Sequence, residues 1–359
     1  MSRPNDIVVA IGRFESARHL DGLSNGHRCH ALHGHGFIAS AFAESSSFDE
    51  TAVLQDRISS CIKQLNYRLL NDVVQQPSDT NLARWVLDRL GLPAAQQVSI
   101  QSTPDQGVVV GRDKQERIWR RYHFRAAHQL PNVPAGHKCG RMHGHGFQVI
   151  LQADLAQSGS DDELGYDSLD SLWAPLESAL NYQCLNEIPG LANPTSEMIS
   201  SWIWEKLKPQ LPQLAWVNVY ETSSCGAAFN GINYRIWKDF TIDSAIQCMF
   251  APHGDPRGKL HGDTFTLRLH LSAPIDQVMG WTVDFGDVKS IFNPIFKHLD
   301  HQPLHTLPEF SAGDASSIAK WVLHETKKQI KQTVRVDVFS SRGGGAICGY
   351  RDDAPVLPA

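Results

Sequence analysis

Three histidines, His128, His143 and His145, are the residues whose types and spacing point most directly to chemistry, standing 143 − 128 = 15 and 145 − 143 = 2 positions apart. His143 and His145 flank Gly144 in a strand-like run, and a period of two turns both imidazoles to one face. His128 ends the preceding strand-like run, so a hairpin would lay it alongside them. Three neutral imidazoles at about 2.0–2.1 Å suit Zn²⁺ and leave a fourth position for water or substrate. His-Gly-His alone is equally readable as two polar residues on an exposed strand, and the third histidine at hairpin distance is what favours a metal. Cys139 leaves two alternatives, closing a structural tetrahedral site or standing outside it as a reactive thiol. Its loop, with Gly136 and Gly140, favours the second.

The elements that must position these groups are repeated. Cys29-His-Ala-Leu-His-Gly-His-Gly-Phe37 returns as Cys139-Gly-Arg-Met-His-Gly-His-Gly-Phe147, an offset of 139 − 29 = 110, and more weakly as Arg257-Gly-Lys-Leu-His-Gly-Asp-Thr-Phe265. Likewise Leu65-Asn-Tyr-Arg-Leu-Leu-Asn71 corresponds to Leu180-Asn-Tyr-Gln-Cys-Leu-Asn186 and to Leu299-Asp-His-Gln-Pro-Leu-His305. Such self-similarity marks a repeat architecture. Each copy shows two β-rich runs, two helical stretches and two more β-rich runs. In the second copy these fall near Arg117 to His128, Gly146 to Asp154, Ser168 to Asn181, Ser196 to Lys208, Ala215 to Thr222 and Ala227 to Trp237. Ile199, Ile203 and Leu207 give the last helix its apolar spacing, with Thr195 or Ser196 as N-cap. The expected fold is α+β: three tandem ββααββ units over residues 1–112, 113–237 and 238–359. Their sheets would close as a pseudo-trimeric antiparallel β-barrel with helices outside, which removes exposed edges.

Composition sets the outer limits. The 359 residues exceed the usual 100–150 of one domain, and 42% hydrophobic with 20% charged residues describes a soluble globular chain. No apolar run approaches the roughly 18 residues of a membrane helix, so no membrane partner is expected. Met1 to Asp6 lacks a signal-peptide layout, and a cytoplasmic location is expected. Seven cysteines without a CxxC pair read as thiols rather than a disulfide framework. A net charge of −5 lacks the basic footprint of nucleic-acid binding.

Ala126-Ala-His-Gln-Leu130, Cys139-x3-His-Gly-His145, Pro194-Thr-Ser-Glu197 and Glu221-Thr222, with Leu299-Asp-His301, together resemble the 6-pyruvoyltetrahydropterin and 6-carboxytetrahydropterin synthase family, whose fold is called the tunnelling fold. The resemblance implies a zinc-dependent lyase acting on a small dihydropterin, 7,8-dihydroneopterin triphosphate. It implies 6-carboxytetrahydropterin as product, or 6-pyruvoyltetrahydropterin by triphosphate elimination; a non-catalytic pterin- or zinc-binding protein is the other reading. It also implies zinc on His128, His143 and His145, and Cys139 as general base with its pKa lowered beside the dication. Asp300 and His301 would be its acid–base pair, Glu221 with Thr195 would hold the pterin, and a homodimer of pseudo-trimers could form. Lys138 and Arg141 are expected near substrate phosphates.

The copies depart from this pattern unevenly. The second has Asn181 and Tyr182 where the family has Asp and His. The third supplies Asp300 and His301 but has Ile246, Arg257, Asp263 and Ser340 at the zinc, thiol and Glu positions, with His253 and His261 as possible substitutes. The first keeps Cys29, His33 and His35, yet places Arg18 opposite His128, Ser102 at the Glu position, and Asn66 and Tyr67 at the pair. His19 could join its histidines only through a bulge, because a one-residue slip turns a side chain to the other face. One working site is therefore expected, with zinc, thiol and Glu from the second unit and Asp-His from the third.

Overall fold

A computed structural model of the chain describes residues 5–24, 26–44, 48–155, 165–249, 251, 253–310, 314–341 and 343–349. The first unit comprises β1 (Asn5–Arg18), β2 (His33–Glu44), α1 (Phe48–Leu65), α2 (Asp79–Leu90), β3 (Ala95–Thr103) and β4 (Gln106–Gly111). The second comprises β5 (Glu116–His128), β6 (His143–Asp154), α3 (Tyr166–Leu180), the two-residue β7 (Gln183–Cys184), α4 (Ser196–Leu207), β8 (Leu214–Thr222) and β9 (Cys225–Phe229). The third comprises β10 (Tyr234–Ile246), β11 (His261–Ser272), α5 (Phe285–Leu299), α6 (Ala315–Gln329), β12 (Thr333–Ser340) and β13 (Gly345–Gly349).

Each unit's four main strands are antiparallel neighbours, and the units join edge to edge through β4–β5, β9–β10 and β13–β1. These three seams close a barrel, and β7 adds a short parallel ladder to β5. The expected α+β barrel of three units is the observed one. One boundary differs: the division at 237/238 falls inside β10. The break lies at Asn230–Asn233, where Gly231 has φ +92° and the Asn230 side chain accepts from the Ile232 and Asn233 amides. This tight Asn-Gly turn separates two strands that read as one β-rich run from Ala227 to Trp237.

Alternation decides what faces where. Along β5, Ile118, Tyr122, Phe124 and Ala126 belong to the core beneath the helices, whereas Arg117, Trp119 and Arg121 line a lumen cavity of about 820 Å³. Closing the barrel needs close backbone approach at three equivalent glycines, Gly107, Gly226 and Gly345. A Cβ at each would collide with the carbonyl of Ile100, Val219 or Val338 on the neighbouring strand. No described helix is long and apolar enough to cross a membrane.

Candidate metal centre

The β5–β6 hairpin pairs His128 directly with His143 and carries His145 two residues further on. Ring centroids lie 4.5 Å apart for His128 and His143, 5.0 Å for His143 and His145, and 5.2 Å for His128 and His145. The His128 Nδ1 faces the Pro194 carbonyl at 3.0 Å, and His143 Nδ1 the Arg141 carbonyl at 2.8 Å. A carbonyl can only accept, so both rings carry a proton on Nδ1, which makes Nε2 the nitrogen each would offer a metal. The Nε2 atoms of His128 and His145 are buried without a hydrogen-bond partner of ordinary geometry. Burial lowers the pKa of His128, against the pull of Glu221 and the Pro194 carbonyl.

Glu221, at the end of β8, completes the group. One ligand atom each from His128, His143, His145 and Glu221 lies within 4.8 Å of the others, and among the described residues this is the one such His/Cys/Asp/Glu cluster. Glu221 Oε1 stands 3.3 Å from His145 Nε2, and Ser196 donates to Oε2 at 2.9 Å. Burial pushes the Glu221 carboxyl up, but the contacts from His145 and His128 outweigh it and hold it below its ordinary range. The expectation made Glu221 a pterin anchor only; β8 runs beside β6 and brings it among the imidazoles as well. Three imidazole nitrogens and one carboxylate oxygen are a donor set that fits a divalent cation such as zinc.

Cys139 lies in a short 3-10 turn (Lys138–Gly140) between the paired histidines. Its carbonyl accepts from the Leu130 amide at 2.8 Å, and its amide donates to His137 Nδ1 at 3.2 Å. Burial first, then the Glu221 carboxylate, pushes the thiol up, and Lys138 opposes them. The protein groups alone thus act against the lowered value expected of Cys139, so any lowering has to come from a bound cation. Lys138 and Arg141 are exposed on the same loop.

Thr195 does not present its side chain to the site as expected. It is 4% exposed, caps α4 by accepting from the Met198 amide, and donates to the Gly280 carbonyl. The hydroxyl that reaches Glu221 is that of the next residue, Ser196.

Gly280 belongs to a strap from the third unit, residues 276–284, that sequence reasoning missed. Asn132 and Asn193 donate to the Val278 and Met279 carbonyls at 2.6 and 2.7 Å, and His137 Nε2 lies 3.5 Å from Asp284. The Thr282 amide donates to Glu197 at 2.8 Å. Burial pushes the Glu197 carboxyl up to about 7 from 4.5, despite these bonds. A folded pKa raised above the unfolded one gives stability that is complete below about pH 4.5 and lost by about pH 7, roughly 3 kcal/mol in all. Glu197→Gln should therefore flatten this window. Urea unfolding at about pH 5 and about pH 8 is the check: the wild type should lose stability relative to the variant as pH rises, and parallel curves would refute it.

Asp300 and His301 do form a pair, with His301 Nδ1 2.9 Å from Asp300 Oδ2. The other Asp300 oxygen accepts from the Asp243 amide at 3.0 Å, and the His301 amide donates back to the Asp243 carbonyl. Asn66 and Asn181 make the same backbone bond to Glu15 and Arg125, so this first position is structural in all three units. Only an aspartate has a second oxygen acceptor to orient the next side chain. His301 is 76% exposed at its side chain, and its partner Asp300 raises its pKa.

In the first unit β1 and β2 pair without a break through Arg18↔His33, so no bulge restores His19, whose ring instead meets Asp21 at 2.7 Å. In the third unit Ile246 is buried opposite His261, and Asp263 accepts from Ser341.

The family model described as 6-pyruvoyl tetrahydropterin synthase matches residues 117–231 and again 235–351. A 6-carboxy-5,6,7,8-tetrahydropterin synthase of Synechocystis sp. is 37% identical over 122 residues, 31% of this chain and 91% of that protein. The 6-pyruvoyl tetrahydropterin synthase of Caenorhabditis elegans aligns over 31% of this chain and 99% of its own, at 18% identity and a TM-score of 0.27. A urate oxidase of Bacillus sp. TB-90 aligns over 62% of this chain and 88% of its own, at 7% identity and a TM-score of 0.33.

Proposed function

The chain belongs to the 6-pyruvoyl tetrahydropterin synthase family, and from that premise we propose that it is a zinc-dependent lyase converting 7,8-dihydroneopterin triphosphate into 6-carboxytetrahydropterin, with triphosphate and the two outer side-chain carbons as the leaving fragments. The observation that carries the reading is the convergence of His128, His143, His145 and Glu221 in a repeat that the family model covers. The 6-carboxy product is preferred because the Synechocystis relative carries that name. The 6-pyruvoyl product is the rival, favoured by the family's own description.

A zinc ion held by the three imidazoles would act as a Lewis acid on the substrate's side-chain hydroxyls. The remaining chemistry falls to the protein. Cys139, four residues before His143, is the group proposed to accept a proton. Asp300 orients the His301 ring through Nδ1, which leaves Nε2 facing solvent to exchange a second proton. Glu221, whose Oε2 accepts from Ser196, is the group proposed to accept the N–H bonds of an amino-pyrimidinone edge. Thr195 contributes by fixing the strap, whose Trp281 ring stands 6.1 Å from that of His137.

The test is incubation of zinc-loaded protein with 7,8-dihydroneopterin triphosphate and identification of the product by mass. The 6-carboxy product is expected. The 6-pyruvoyl product would transfer the assignment to the rival, and absence of turnover would favour a binding protein.

A further inference from the structure

The first unit contains a counterpart of the candidate metal centre in which an arginine stands at the register position of the ligand His128. Arg18 pairs with His33 in the same register as His128 with His143. The His33 and His35 rings lie 5.1 Å apart at 84°, against 5.0 Å and 86° for His143 and His145. His33 Nδ1 faces the Ala31 carbonyl at 2.8 Å, as His143 faces Arg141, and the Nε2 atoms of His33 and His35 are buried without a partner. Arg18 even uses the corresponding proline. Its Nη1 donates to the Pro77 carbonyl at 2.9 Å, where His128 meets that of Pro194 at 3.0 Å.

The carboxylate has moved with it. Asp79 and Ser196 each open the second helix of their unit, and Ser102 and Glu221 are each the eighth residue of the following strand. Where the second unit has serine on the helix and glutamate on the strand, the first has aspartate on the helix and serine on the strand. Asp79 Oδ1 binds Arg18 at 2.7 Å, and its Oδ2 accepts from Ser102 at 2.6 Å and from Tyr166 of the second unit at 2.7 Å. Arg18 is 3% exposed and its guanidinium lies 5.0 Å over the Phe37 ring. Guanidinium and carboxylate pair with each other here, whereas the carboxylate of the second unit's centre meets an imidazole and a serine hydroxyl. An arginine does not deprotonate, and a dication entering here would meet a fixed positive charge.

We propose that Arg18, standing in place of a ligand histidine and clasped to Asp79, keeps a metal ion out of the first unit, making that centre a metal-free clasp to Tyr166 and leaving the chain with one metal per molecule. This rests on the metal reading of the second unit. Cobalt(II) titration followed by its visible absorption, with elemental analysis, tests it without reference to activity. The wild type should take one equivalent; two would overturn the proposal. The exchange variant Arg18→His/Asp79→Ser/Ser102→Glu should take one more than the wild type. If it folds by circular dichroism and takes no more, Arg18 is not what holds the place. Should it not fold, His143→Ala/His145→Ala decides, with no metal expected and one residual equivalent contradicting the proposal. A wild type that takes none would sink the second-unit reading instead, and the gain in the exchange variant would still report on Arg18.

Discussion

Replacing Cys139 by alanine is expected to lower turnover by roughly two to four orders of magnitude, the usual contribution of a positioned proton-transfer group, while leaving metal content unchanged. The separation of the two readouts follows from geometry. Cys139 is outside the cluster of possible ligand atoms, which comprises His128, His143, His145 and Glu221. Its turn is held by backbone bonds to Leu130 and to the His137 ring rather than by the sulfur, so removing the sulfur should not disturb the loop. Steady-state kinetics with metal analysis on the same preparation checks both halves. Wild-type turnover in the variant would remove Cys139 from the reaction, and loss of metal with loss of activity would make the thiol a ligand, the closed-site alternative.

The second large effect concerns the ligands themselves. His145→Ala is expected to weaken metal binding by more than about 100-fold, since even outer-shell partners of metal ligands are worth about 10–100-fold. Turnover should fall below detection and should not return with excess zinc. His145 is the natural choice because its Nε2 faces Glu221 at 3.3 Å, so its loss leaves the carboxylate without that contact and the other two imidazoles without their third. Competition against a chromogenic chelator measures the affinity. An unchanged affinity would show that the cation, if bound, does not use this ring.

The site and the fold were legible to different depths. Strand alternation and the spacing of His128, His143 and His145 are local properties, and a hairpin converts them into a cluster with little outside help. The same holds for the repeat itself, since matching segments must occupy matching places in a ring. What could not be read was whatever depends on contacts between units. The strap at 276–284 has no motif, and its docking rests on backbone carbonyls of Val278, Met279 and Gly280, which every sequence possesses. Thr195 was assigned by motif to substrate, whereas its burial against that strap is a tertiary fact. The Asn230–Asn233 turn carries an Asn-Gly pair, yet the β-forming residues on both sides make the segment read as one strand. The compensating exchange around Arg18 was half visible: the arginine stood out opposite His128, while the return of charge at Asp79 needed the helix to be placed first.

The three seams that close the barrel within one chain also decide what mutation can explore. In a ring of identical subunits every substitution is written three times, so an arginine in place of a ligand histidine would extinguish all the centres at once. A covalently joined ring escapes that constraint. Arg18 and His128 can occupy equivalent places in one molecule because β4–β5, β9–β10 and β13–β1 are joints between non-identical neighbours, each of which is able to specialise without the consent of the others.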